Sequence, residues 1–243
     1  MKVLVVGASG ATGSQLVAQL LHHNYTVKII VRSLDKIPQT WQDNDHLQII
    51  TASILELSNS EIENIVRDCD AIASCLGHNL TFKGIYGQPR ELVTDAVKRL
   101  CNAIKSNKLE RTTKFVLMNT TGNLNRDLDE RISFAQKCVI GLLRLLLPPH
   151  VDNEKAADYL RTQIGQNNRA VEWVAVRPDG LINEDQVSDY EIFPSPTRSA
   201  IFNAGKVSRI NVANFMTNLI TNENLWKEWK GQMPVIYSSS LVN

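Results

Sequence analysis

The chain begins with four consecutive apolar residues, Val3-Leu4-Val5-Val6, and beyond Thr12 the rhythm changes to Leu16, Val17, Leu20 and Leu21 at three- and four-residue spacing. An unbroken run of this length suits a strand covered on both faces of a parallel sheet, and the later spacing places an apolar stripe along a helix. The alternation then recurs. Residues 26–31, 47–51, 70–74, 114–119 and 173–177 read as further strands, and 60–68, 91–106, 132–147, 153–165 and a segment from 209 onward as helices. Ser60 is the expected N-cap of the second helix, with Glu63 three residues on. Residues 78–90 form a long loop carrying His78 and Tyr86, and 201–207 have hairpin chemistry. Trp226, Trp229 and Met233 read as amphipathic packing rather than a ligand box. Strand and helix alternating in this way predict an α/β fold, a doubly wound parallel sheet. At 243 residues the chain fits one domain, 1–243, with residues 183–243 as a small lobe on the substrate side.

The turn between the first strand and helix is Gly7-Ala8-Ser9-Gly10-Ala11-Thr12-Gly13. Glycines let the backbone turn sharply and approach a pyrophosphate with no Cβ in the way, and the helix that follows offers free amides and the positive end of its dipole. Gly7, Ser9, Gly10, Ala11, Thr12 and Gly13 are therefore read as a dinucleotide cradle. The end of the second strand is where such a ligand's ribose is read, and an acidic residue there would accept the 2′-hydroxyl of NAD. Arg32 and Ser33 stand there instead, a forked cation and a hydroxyl suited to a 2′-phosphate, so NADP(H) is expected over NAD(H). Ser53 and Ile54, after the third strand, should pass close to the adenine, and Cys75, Leu76 and Gly77, leaving the fourth, should lie near the nicotinamide half.

Composition narrows the partners. A net charge of +1 gives no broad electrostatic case for nucleic acid or an acidic membrane. The most apolar run, 138–149, contains Arg144, stops at Pro148-Pro149 and is too short to span a bilayer, so it is expected to be a packed helix or an oligomer contact. No membrane partner and no metal are expected, and a monomer and a homodimer both stay open. The four cysteines lack paired metal spacing, the amino terminus lacks a targeting pattern, and the expected location is cytoplasmic.

The GASGATG turn resembles the short-chain dehydrogenase/reductase superfamily, particularly its extended and atypical branches. Lys155-Ala-Ala-Asp158-Tyr159-Leu160-Arg161 and Trp173-Val-Ala-Val-Arg177-Pro178-Asp179-Gly180-Leu181 are similar to the atypical branch that includes NmrA-like regulators and flavin reductase or biliverdin reductase B type enzymes. The resemblance implies a serine-type hydroxyl at the end of the fifth strand that polarises a substrate carbonyl. Thr120 fits that place, with Thr121 as the alternative. It also implies a Tyr-x-x-x-Lys pair in which the lysine holds the cofactor ribose: Lys155 matches the lysine, but Val151 stands where the tyrosine would protonate the substrate. Pro178 is implied to abut the nicotinamide carboxamide, while Ser53 replaces the Asp frequent in relatives. The implied function is an oxidoreductase that moves a hydride between NADP(H) and a small carbonyl, quinone or flavin-like substrate. With Val151 unable to donate, the proton falls to Thr120 through solvent, Lys155, His78, Tyr86 or water itself. The alternative is a non-catalytic NADP(H)-binding redox sensor or assembly protein. An epimerase, which ordinarily keeps the tyrosine, ranks last.

Overall fold

The apolar run at the amino terminus forms β1 (Lys2–Val6), whose side chains alternate between two cores: Val3 and Val5 enter one, Leu4 the other with Val6. The computed structural model describes residues 1–79 and 81–239; residue 80 of the 78–90 loop and residues 240–243 of the expected lobe lie outside the described residues. After β1 come α1 (Ala11–His22), β2 (Thr26–Val31), a short α2 (Gln39–Gln42), β3 (Leu47–Thr51), α3 (Asn59–Val66) and β4 (Ala71–Ser74). Next are α4 (Phe82–Tyr86), α5 (Leu92–Ser106), β5 (Thr113–Met118), α6 (Phe134–Leu146) and α7 (Pro148–Tyr159), which runs into a π-helical turn, Leu160–Ile164. The chain closes with β6 (Val171–Pro178), β7 (Gly180–Ile182), β8 (Tyr190–Phe193), β9 (Lys206–Ser208), α8 (Arg209–Thr221), α9 (Glu223–Trp229) and β10 (Val235–Ser238).

Eight strands form one sheet in the order β3-β2-β1-β4-β5-β6-β10-β8, parallel except where β8 runs antiparallel to β10. Helices α1, α8 and α9 cover one face, and α3, α5 and α7 the other. This is the doubly wound α/β architecture of the Rossmann type. The strand order reverses direction between β1 and β4, and a sheet wound this way opens a crevice at the carboxyl ends of those two strands. Much of the carboxyl-terminal segment belongs to these main layers: β8 and β10 extend the sheet, and α8 packs along α1. Trp226, Trp229 and Met233 are buried in the cores, as packing requires.

Three local expectations are corrected. Ser58, not Ser60, caps α3: its hydroxyl accepts the amide of Glu61, whose carboxylate accepts the amide of Ser58 at 2.7 Å. The Ser-x-x-Glu spacing occurs twice in a row here, and the earlier copy is the one that starts the helix. Residues 201–207 form no hairpin. Asp179 accepts the Gly205 amide at 2.7 Å, the Gly180 amide donates to the Gly205 carbonyl at 3.0 Å, and β9 is thereby laid parallel to β7. Helix α7 begins at Pro148 rather than near 153, because proline at the first helical position gives up an amide that has no partner anyway.

Candidate functional site

At the switch point between β1 and β4 lies a cleft of about 210 Å³. Its floor is the glycine turn. Gly7 adopts φ +80°, and a Cβ there would come within 2.5 Å of the Cys75 carbonyl carbon; a Cβ on Gly13 would overlap the Gly7 carbonyl. Both positions are closed to any side chain, which is what brings backbone to the cleft surface. The Gly10 amide donates to the Gly7 carbonyl at 3.0 Å, and Gly10 is the N-cap of α1. No side chain caps that helix and no acidic residue stands in its first turn, so its amino-terminal amides and dipole face the cleft without a resident anion.

The cleft gathers Gly7, Ser9, Gly10, Arg32, Ser53, Ile54, Cys75, Leu76 and Gly77 from the sequence-predicted set. Ala11, Thr12 and Gly13 form the first turn of α1 beneath it. Ser33 stands beside Arg32 but does not line the cleft, its hydroxyl accepting the Asp35 amide at 3.1 Å. Lys36 joins Arg32 as a second cation, and among the described residues no carboxylate lines the cleft. Lys36 was not anticipated; its spacing four residues after Arg32 in an irregular segment gives no helical or strand periodicity to read. Burial pushes the Cys75 thiol up to about 12, which keeps it un-ionised beside the ligand space.

The predicted catalytic pair is not assembled as expected. Thr120 follows β5, where its Oγ1 accepts the Gly122 amide at 3.2 Å and keeps its own proton to donate. Thr121 is already engaged: its hydroxyl donates to Asp179 at 3.1 Å and its amide to the Pro178 carbonyl at 3.1 Å. Pro178 sits at the end of β6 in register with Ile236 and does not line the 210 Å³ cleft. Lys155 does not reach this strand end. Its ammonium is paired with Glu91, in a shallow groove with Arg144 and Val151 that shares no lining residue with the nucleotide cleft. The reason is helical phase. His150 and the Asn153 carbonyl face the turn after β5, with Asn119 donating to that carbonyl at 2.9 Å, and at about 100° per residue Lys155 points roughly 150° away from them.

His150, for which the sequence predicts no role, lies near this strand end instead. The space next to Gly122, where a Cβ would sit, lies 3.4 Å from His150 Cε1 and 3.7 Å from Thr120 Oγ1, so imidazole and hydroxyl both border the Gly122 turn. His150 Nε2 lies 3.4 Å from Glu154 Oε1 one helical turn on, and Arg144 grips the same carboxylate through Nε and Nη2, both at 2.9 Å from their oxygens. Burial works to raise the Glu154 pKa, but the nearby His150 imidazole and the Arg144 hydrogen bonds outweigh it and hold the carboxyl at about 2. The sequence signal was a His and a Glu at i and i+4, visible only once the helix is known to start at Pro148.

The other titratable candidates have structural duties. His78 Nε2 lies 2.7 Å from Asp152 Oδ2, and Asp152, fully buried, also accepts the Val93 and Thr94 amides at the start of α5. Tyr86 donates to the Leu146 carbonyl at 3.0 Å. Arg177 of the Arg-Pro motif is wholly buried: Nη2 and Nη1 bind Glu130 at 2.7 and 3.0 Å, Nε donates to Met233 O and Nη1 to Asn123 O. It ties the turn after β5 to the strands beside it. Beyond Thr121 a second cleft of about 510 Å³ opens between residues 121–136 and 195–200, of a size that holds a small molecule. Among the described residues no helix is long and apolar enough to cross a membrane.

Comparison with known proteins gives a consistent picture. The model of a family described as NAD(P)H-binding matches residues 7–223. An uncharacterised chloroplastic protein of Arabidopsis thaliana is 27% identical over 222 residues, covering 91% of this chain and 72% of its own. Among solved structures, a short-chain dehydrogenase/reductase of Veillonella parvula in complex with NADP superposes with a TM-score of 0.69 at 16% identity, over 98% of this chain and 95% of that one. An anaerobillin reductase of Escherichia coli O157:H7 gives 0.69 at 16% identity over 100% of both chains.

Proposed function

The chain belongs to the NAD(P)H-binding family, and from that premise we propose that it is an oxidoreductase using NADPH in preference to NADH to reduce a small carbonyl, quinone or flavin-like molecule. One observation carries the reading: the glycine-floored cleft meets an uncapped helix amino terminus at one end and two cations, Arg32 and Lys36, with no carboxylate among the described residues, at the other. A dinucleotide's pyrophosphate fits the first and a 2′-phosphate the second. Gly7, Ser9, Gly10 and the first turn of α1 would hold the pyrophosphate, Ser53 and Ile54 the adenine side, and Cys75 to Gly77 the passage toward nicotinamide. The cofactor, once bound, supplies the hydride. The chain's part is then to place the substrate in the 510 Å³ cleft beside Thr121 and to deliver a proton at the β5 end. Thr120 would donate its hydroxyl proton, and the His150 imidazole, backed by Glu154, would replace it. Relatives named as an NADP-bound dehydrogenase/reductase and as an anaerobillin reductase support this class.

Calorimetry with NADPH and NADH tests the cofactor assignment. A charge-assisted contact contributes about 1.5–3 kcal/mol, so Arg32→Ala should weaken NADPH about ten- to a hundredfold and leave NADH nearly unchanged. Equal affinities for the two coenzymes in the unaltered chain would remove the assignment. Stopped-flow oxidation of NADPH against quinones, flavins and small aldehydes tests turnover. A second reading, an NADP(H)-binding sensor without turnover, is favoured by two residues, Val151 in place of an acid and Lys155 held on Glu91. Tight cofactor binding with no oxidation across the whole panel would select it.

A further inference from the structure

Helix α6 is built the wrong way round for a monomer. Its inward face is formed by Gln136, Ile140 and Leu143, whereas Phe134 is 81% and Leu145 79% exposed, with Leu142, Leu146, Gly141 and Cys138 also turned to solvent. The apolar surface continues onto α4. Tyr86 is joined to the Leu146 carbonyl, and its ring packs at a tilt against Phe82, 5.0 Å between centroids, Phe82 itself being 81% exposed. At about 200 Å² for a residue of this size, the six large side chains hold roughly 800 Å². That exceeds the ~300–600 Å² patch of an ordinary monomer and equals the ~800 Å² each partner gives to a standard interface.

We propose that this face pairs with a second copy of the chain, α6 against α6, antiparallel about a two-fold axis. Phe134, Cys138, Gly141 and Leu145 follow one another at steps of four, three and four residues, the seam spacing of packed helices. Read in either direction the seam runs large, small, small, large. Turning a second copy end for end therefore sets each Phe134 against the partner's Leu145 and lets the two backbones meet closely at Cys138 and Gly141. A glycine inside a helix is unfavourable, and nothing in its own chain explains Gly141: a Cβ there would meet no atom within 4 Å. Close approach of another helix does explain it.

Charge favours a second copy over a lipid surface. Helices that lie in a membrane interface flank their apolar face with several free cations. Helix α6 has two, Lys137 and Arg144, and Arg144 is bound to Glu154. No acidic residue falls between Phe134 and Leu146, so the paired seams bring no buried carboxylates together.

The test uses the full chain. Light scattering at about 50 μM should give twice the chain mass, and Leu145→Arg should halve it while the far-UV circular dichroism spectrum is unchanged. Across the proposed axis the two Cys138 residues lie within about 10 Å, so a short bismaleimide should link them. Cys69 and Cys101 are buried and Cys75 lies in the nucleotide cleft, where burial also pushes its thiol above the ordinary value, so Cys138 is the one exposed cysteine among the described residues. The link should vanish in Cys138→Ser and in Leu145→Arg. A monomer at this concentration, a dimer that survives Leu145→Arg, or flotation of the chain on phosphatidylglycerol vesicles in place of self-association would each overturn the proposal.

Discussion

Two glycines on the same cleft separate backbone necessity from mere small size. Gly7 combines φ +80° with a closed space at its Cα, whereas a Cβ on Gly77 would meet nothing within 4 Å. Gly7→Ala should therefore cost roughly 2–4 kcal/mol of unfolding free energy, and Gly77→Ala less than about 0.5 kcal/mol, as read by urea denaturation. Similar losses for the two would deny that the turn is sterically fixed. Glu154 gives a pH signature. Its carboxyl is held at about 2, below the ordinary 4.5, so the unfolded chain takes up the proton first. The stabilisation is complete above about pH 5 and is lost as pH falls from there toward 2; over that window the unaltered chain should lose roughly 3 kcal/mol more than Glu154→Gln. Parallel acid limbs would show that the His150–Glu154–Arg144 cluster is not coupled to folding. His150 itself illustrates what a chain read residue by residue hides. Nothing in its neighbours, two prolines and a valine, marks it, and its worth comes from Gly122 and Thr120, which are remote in sequence.

Elements follow from sequence where one face alone decides them and fail where a boundary depends on a partner. The strands were legible because runs such as Val3 to Val6 and Phe115 to Leu117 are apolar on both sides, and burial in two cores permits nothing else. The start of α7 was not, because Pro148-Pro149 ends one helix and begins the next, and the same two residues support either reading. Lys155 failed for another reason: its assignment rests on likeness to the lysine of a Tyr-x-x-x-Lys pair, and a motif match does not fix which face of the helix the residue occupies. The apparent hairpin at 201–207 failed for a different reason: Asp179, remote in sequence, captures the Gly205 amide. The Arg-Pro motif marked β6 correctly, and the structure gives Arg177, to which the sequence assigned no role, the part of a buried clamp. Its pair with Glu130 is buried on both sides, so Glu130→Ala, which strands the guanidinium, should cost about 3–5 kcal/mol, and Glu130→Leu with Arg177→Met should recover most of it. Thermal unfolding of the two variants decides the point. A double variant as unstable as the single one would mean that the hydrogen bonds to Asn123 and Met233, not the ion pair, hold the turn.

At the scale of the molecule, the place of the crevice was legible from an apolar strand entering a glycine turn, and the doubly wound class from the alternation of strands and helices, whereas the order of the strands is supplied by the structure. The 510 Å³ cleft was illegible because two mostly irregular segments some sixty residues apart form it, and neither has a periodicity that reports its neighbour. The cofactor assignment can be weighed at this same scale, through folding. A ligand that binds only the native chain adds RT ln(1 + [L]/Kd), about 2.7 kcal/mol at a hundredfold excess over Kd, and a domain of this size gains about 2–4 °C in midpoint per kcal/mol. NADPH at that excess should raise the thermal midpoint by about 5–10 °C. NADH at the same concentration, if ten- to a hundredfold weaker, adds only about 0.4–1.4 kcal/mol and should raise it by about 1–5 °C. Arg32→Ala combined with Lys36→Ala should bring the NADPH shift down to that of NADH and leave the NADH shift where it was, because neither cation has a phosphate to meet on the adenosine ribose of NADH. If both shifts fall together, the two cations hold the pyrophosphate rather than the 2′-phosphate, and the preference for NADPH loses its basis while the nucleotide cleft keeps its own.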